Sequence, residues 1–70
     1  MKTQYPTIRF RRDASSWRCE DSEANVLGDV VQNQTTGQFR FLSLGSVFLD
    51  TYMCRDIAYF LGELNKEEPT

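Results

Sequence analysis

The stretch Asp50-Thr51-Tyr52-Met53-Cys54-Arg55-Asp56-Ile57-Ala58-Tyr59-Phe60-Leu61-Gly62-Glu63-Leu64-Asn65 decides the fold. Met53, Ile57, Phe60, Leu61 and Leu64 fall at i, i+4, i+7, i+8 and i+11, one continuous apolar stripe on an α-helix. Arg55, Asp56, Tyr59 and Glu63 lie largely off that stripe. Asp50 or Thr51 can act as N-cap, its side-chain oxygen accepting from the first free amides. Asn65 with Lys66 suits the C-terminal end. The spacing therefore predicts an amphipathic helix from about Asp50 to Asn65, with residues 66–70 expected to fray, as are residues 1–4.

An apolar stripe must be buried against something, and upstream of the helix the period shortens to that of strands. In Ile8-Arg9-Phe10-Arg11, Ile8 and Phe10 share one face and Arg9 and Arg11 the other. Pro6 is tolerated at such a strand start. Asp13-Ala14-Ser15-Ser16 carries turn chemistry, and Trp17-Arg18-Cys19-Glu20 alternates again, Trp17 and Cys19 inward, Arg18 and Glu20 outward. After the polar, acidic Asp21–Asn25 loop, Val26-Leu27-Gly28-Asp29-Val30-Val31 reads as a strand with Gly28 at a bulge or close approach. Asn33-Gln34-Thr35-Thr36-Gly37 then leads to Gln38-Phe39-Arg40-Phe41-Leu42, a hairpin signal in which Gly37 takes the left-handed turn position. Val47-Phe48-Leu49 is either a last short strand or the lead into the helix. The fold expected is a single α+β domain over residues 1–70: an antiparallel sheet of three to five strands with one C-terminal amphipathic helix packed across one face.

Seventy residues make a small domain that buries little surface, and the 13% aromatic content supplies the bulky side chains such a core needs. Self-association is another source of stability at this size. The net charge of −2 conceals an asymmetry. Lys2, Arg9, Arg11 and Arg12 give the first 12 residues a charge of +4, and the other 58 carry −6. No apolar run reaches the ~20 residues that cross a bilayer, and no apolar segment follows Met1-Lys2-Thr3-Gln4 as in a secretory signal. A cytoplasmic location is the expectation, with Cys19 and Cys54 as reduced thiols and both read as small core hydrophobes.

Catalytic chemistry has little to draw on. Histidine is absent, which removes the commonest general base and the commonest metal ligand. Cys19 and Cys54 stand too far apart for zinc-ligand spacing. Glu20, Asp21, Glu23 and Asp29 lack the alternation and terminal Glu of a calcium loop, and the glycines are too scattered to cradle phosphate. The expectation is no enzyme, no metal, no cofactor and no small-molecule substrate.

Two functional readings remain. In the first, the chain is a small interaction or regulatory protein that binds a protein partner or itself. It would be an inhibitor or accessory protein of the phage or mobile-element type, offering an edge strand or the exposed Tyr52 and Tyr59 as anchors. In the second, Arg9, Arg11, Arg18 and Arg40 form a nucleic-acid-binding patch on the open face of the sheet. Against the second stands the expectation that these arginines pair across strands with Glu20 and Asp29.

Overall fold

The computed structural model describes residues 1–66, and residues 67–70, on which most of the C-terminal fraying expectation falls, lie outside it. The chain forms strands β1 (Ile8–Asp13), β2 (Ser16–Asp21), β3 (Val26–Gln32) and β4 (Phe39–Ser43), then helix α1 (Thr51–Lys66). The strands form one antiparallel sheet in the order β1-β2-β3-β4, with α1 packed on one face. This is the α+β architecture the periodicities predict.

Each connection follows from local chemistry. β1 and β2 are joined through Ala14-Ser15, with Ala14 held at φ 55°, while Ser16 Oγ donates to the Asp13 carbonyl. Between β3 and β4, Asn33 Oδ1 accepts from the amides of Thr35 and Thr36, and Gly37 takes φ 80° as expected of it. A bulge interrupts the β2–β3 ladder between Cys19 and Glu20, so that Cys19 faces Gly28 and Glu20 faces Val26. Leu27, the extra residue, turns into the core, where it is buried. Gly28 is also a close approach: a Cβ there would stand 2.4 Å from the Leu42 carbonyl oxygen and 2.7 Å from the Phe41 ring.

The core gathers Tyr5, Ile8, Phe10, Cys19, Leu27, Val30, Ile57 and Phe60. Phe60 is its centre, stacked on Phe10 with ring centroids 3.8 Å apart and meeting Trp17 edge-on at 5.2 Å. Asp50 caps α1, its Oδ1 accepting from the Met53 amide at 2.9 Å. The helix is pinned at two places. Asp56 Oδ2 accepts from both the amide and the hydroxyl of Thr7, just before β1, and the Asn65 side-chain amide bonds the backbone of Phe39 where β4 begins. These two ties run α1 obliquely across the sheet.

Three expectations need correction. Asp56, placed off the apolar stripe, is 1% exposed, because the segment before β1 lies over it and satisfies its carboxylate. Cys54 is exposed rather than a core residue: one position past Met53 turns it about 100° from the stripe. Glu20 does lie on the open face, but Arg9 and Arg11 cover it and it is 5% exposed. Of the two readings of Val47-Phe48-Leu49, the lead into the helix holds: Val47 and Leu49 pack against the core from an irregular connection while Phe48 points away. Cys19 is buried, as its alternation implies, and both thiols are free.

Candidate functional site

The register decides which side chains share the open face. Val30 pairs with Phe41, and both face α1; the alternating pairs Arg11–Arg18, Arg18–Asp29, Asp29–Leu42 and Val31–Arg40 therefore face away from it. Arg9, Arg11, Arg18 and Arg40 are thus brought onto one face of the sheet. Most of their charge is answered there. Arg9 Nε donates to Glu20 Oε1 at 3.0 Å, Arg11 lies 3.6 Å from Glu20 Oε2, and Arg18 lies 3.2 Å from Asp13 Oδ2. Arg40 has no ion-pair partner among the described residues.

Tyr52 and Tyr59 are 60% and 63% exposed on the outer side of α1, across the molecule from the arginines. The structure does not join these two sets into one site. Tyr52 lies beneath the Arg55 guanidinium, 5.2 Å from ring centroid to Cζ. Tyr59 forms one wall of an open cleft of about 550 Å³ between the N-terminal arm (Lys2, Tyr5, Pro6) and the helix (Arg55, Tyr59, Glu63). Both signs of charge line that cleft, and Asp56 at its base already has Thr7 and Arg55 as partners.

The two outer edges of the sheet are each covered in part. Along β1, the arm folds back: Tyr5 N donates to the Ile8 carbonyl, Phe10 N donates to the Thr3 carbonyl, and Gln4 bridges to Arg9. Thr3 and Gln4, within the segment expected to fray, are therefore held against the strand. Along β4, the bonds Asn33 N to Gln38 O and Leu44 N to Leu27 O set the phase of the β3–β4 ladder. Antiparallel alternation then turns the amides and carbonyls of Phe39, Phe41 and Ser43 outward. Asn65 satisfies Phe39, with Phe39 N donating to Asn65 Oδ1 at 2.7 Å. No intramolecular partner covers Phe41 or Ser43 among the described residues.

Apolar side chains flank that edge. Leu42 is 62% exposed beside Arg40, Leu44 follows at 47%, and Phe48 in the next connection is 95% exposed. None of these was singled out by sequence reasoning. The available signal was a leucine at Leu42, on a face whose other strand positions are charged or β-branched, and a third large apolar residue in Val47-Phe48-Leu49.

Burial pushes the Cys19 thiol up to about 12, aided by Glu20, so it stays protonated and unreactive. Asp21 is held below its ordinary range mainly by the Asn25 amides, which order the Asp21–Asn25 turn. No helix of the described residues is long and apolar enough to cross a membrane. Compared with protein-family models, curated proteins and solved structures, the chain matches none at a significant level.

Proposed function

We propose that this chain is a non-enzymatic protein-interaction module that takes up an extended segment of a partner along the outer edge of β4. One observation carries the reading: Phe41 and Ser43 turn their backbone groups out from β4, flanked by exposed Leu42 and Leu44, while on the opposite edge the arm pairs with the Ile8–Phe10 part of β1. Unpaired edges invite other chains, and natural sheets usually blunt them with charge, proline, a bulge or a covering segment. This sheet covers the Ile8–Phe10 part of one edge and leaves apolar side chains beside the other. Strand addition would draw affinity from main-chain hydrogen bonds and specificity from alternate side chains. A one-domain chain acting this way is a small regulator or inhibitor, of the kind phages and mobile elements encode. A reducing compartment such as the cytoplasm suits its two unpaired cysteines.

The test is to select binders from a library of extended peptides and follow amide exchange in the bound protein. Binding is expected to slow exchange at Phe41 and Ser43. Binders that leave both amides exchanging as in the free protein would remove the reading.

A second reading, nucleic-acid binding, draws support from Arg9, Arg11, Arg18 and Arg40 sharing one face. Glu20, Asp13 and Asp29 on or beside that face weigh against it, since phosphate affinity depends on net positive charge releasing counterions. Binding to duplex or single-stranded DNA that weakens steeply with added salt would favour it over the edge-strand reading.

A further inference from the structure

Arg40 differs from the other arginines of the open face. Arg9 and Arg11 share Glu20 and Arg18 meets Asp13, whereas Arg40 has no acidic partner among the described residues. It stands on β4 itself, with Val31 across from it on the inner side and the unpaired edge on the outer side. An added strand would set one side chain directly across from Arg40, a second across from Leu42 and a third across from Leu44.

The backbone restricts where that strand can lie. Only Phe41 and Ser43 offer free outward groups on β4, because Asn65 already occupies those of Phe39. An antiparallel segment bonded to both places one residue opposite Leu42. The residue two positions earlier lies opposite Leu44, and the residue two positions later lies opposite Arg40. A slip by two residues toward Phe39 would have to displace Asn65, and a slip by one would turn every side chain to the other face.

We infer that the edge is built for an acidic-ended extended segment, reading apolar-x-apolar-x-Asp/Glu when antiparallel to β4, with the carboxylate paired to Arg40 and the apolar side chains on Leu42 and Leu44. This rests on the edge-strand reading above and names the chemistry of its partner. A second copy of the chain does not supply that chemistry through its own β4. From Phe39 to Leu49 the sequence has no acid, and the two-fold pairing of Phe41 with Ser43 of a second copy leaves each Arg40 facing a leucine.

The experiment uses fluorescein-labelled Thr-Val-Thr-Val-Thr-Glu-Thr and its counterpart with Lys in place of Glu, titrated with the full chain at low salt and read by polarisation. A cross-strand ion pair in one peptide and a like-charge contact in the other separate their dissociation constants by about tenfold in favour of Glu. Arg40→Glu should reverse the order. Ser43→Pro removes one outward amide, and a peptide N-methylated at its two central threonines loses the reciprocal bonds to the Phe41 and Ser43 carbonyls without altering the protein; either should abolish binding. Equal affinity for the Glu and Lys peptides, with both lost on N-methylation, overturns the charge rule and leaves the edge reading standing. Binding that survives N-methylation and Ser43→Pro, or no polarisation change with any peptide, overturns both.

Discussion

Replacing Gly28 by alanine tests the geometry of β4 most directly. The added Cβ would stand 2.4 Å from the Leu42 carbonyl oxygen, 2.7 Å from Phe41 Cζ and 3.0 Å from Ser43 Cα. The Phe41 ring can swing aside, but the other two obstacles are backbone. Ordinary contact begins near 3.4 Å, so β4 must retreat by about 1 Å. That displacement stretches the neighbouring ladder bonds of the Asp29–Leu42 pair and the Leu44-to-Leu27 bond beyond useful length. Two or so lost bonds at about 1 kcal/mol each, plus the disturbed Phe41 packing, give about 3 kcal/mol of destabilisation. A chain of this size has roughly 4–10 kcal/mol in all, so the melting temperature should fall by about 12–24 °C. Urea unfolding followed through Trp17, the single tryptophan, measures it. Gly62→Ala is the internal control. It sits on α1 with nothing within 4 Å of a new Cβ, so the same substitution should stabilise by about 1 kcal/mol. A Gly28→Ala variant within about 0.5 kcal/mol of the parent would refute the close-approach argument.

Other outcomes follow from single groups. Only Cys54 should react with a thiol reagent in the native state near pH 8, Cys19 following on unfolding; rapid modification of both would contradict the burial of Cys19. Because burial raises that thiol from 9.0 to about 12, stability should decline as pH climbs through this range, and Cys19→Ala should reduce the slope of the alkaline limb. Burial alone would raise Asp56, but the bonds from Thr7 and the charge of Arg55 outweigh it and leave the carboxyl below its ordinary value. Its stabilisation is therefore present above pH ~4 and lost as pH falls through the lower folded value, so Asp56→Asn should flatten the acid limb of a stability–pH curve. Asp56→Ala should cost about 2 kcal/mol by stranding the Thr7 donors, and a neutral effect would show that the arm is not anchored there. Ala14→Gly should raise stability by about 0.5–1 kcal/mol, since Ala14 holds φ 55° in a tight turn; a loss would mean that the turn relaxes in solution.

What could be read from residues alone was whatever rests on period. Met53, Ile57, Phe60, Leu61 and Leu64 keep one spacing, so the helix and its buried side were legible without knowing the partner surface. The alternation through Ile8 and Phe10 likewise placed Arg9 and Arg11 outward, and Gly37 and Gly28 announced a turn and a tight contact. The rest depends on elements distant in the chain. Asp56 is buried only because Thr7, 49 positions earlier, reaches it. Glu20 sinks beneath two arginines contributed by the neighbouring strand. Whether a strand ends up outermost is a property of topology rather than of its own residues, so the availability of Phe41 and Ser43 could not be seen in Phe39–Ser43 itself. Tyr52 and Tyr59 were legible as exposed helix residues, but not their separation from the arginines by the thickness of the domain.

The fold-back of Thr3–Tyr5 onto β1 occupies the outward Ile8 carbonyl and Phe10 amide, so a strand adding along the start of β1 must first displace the arm. A sheet open on both sides can hand each newcomer a fresh docking line and so polymerise. Here, two copies joined through β4 would present β1 strands whose first half is already paired at both ends, which raises the cost of adding a third. The short arm would thus work against fibre growth while leaving the β4 edge untouched. Removing residues 1–4 would free the Phe10 amide while keeping the core residue Tyr5, and would open a second line along which copies could add head to tail.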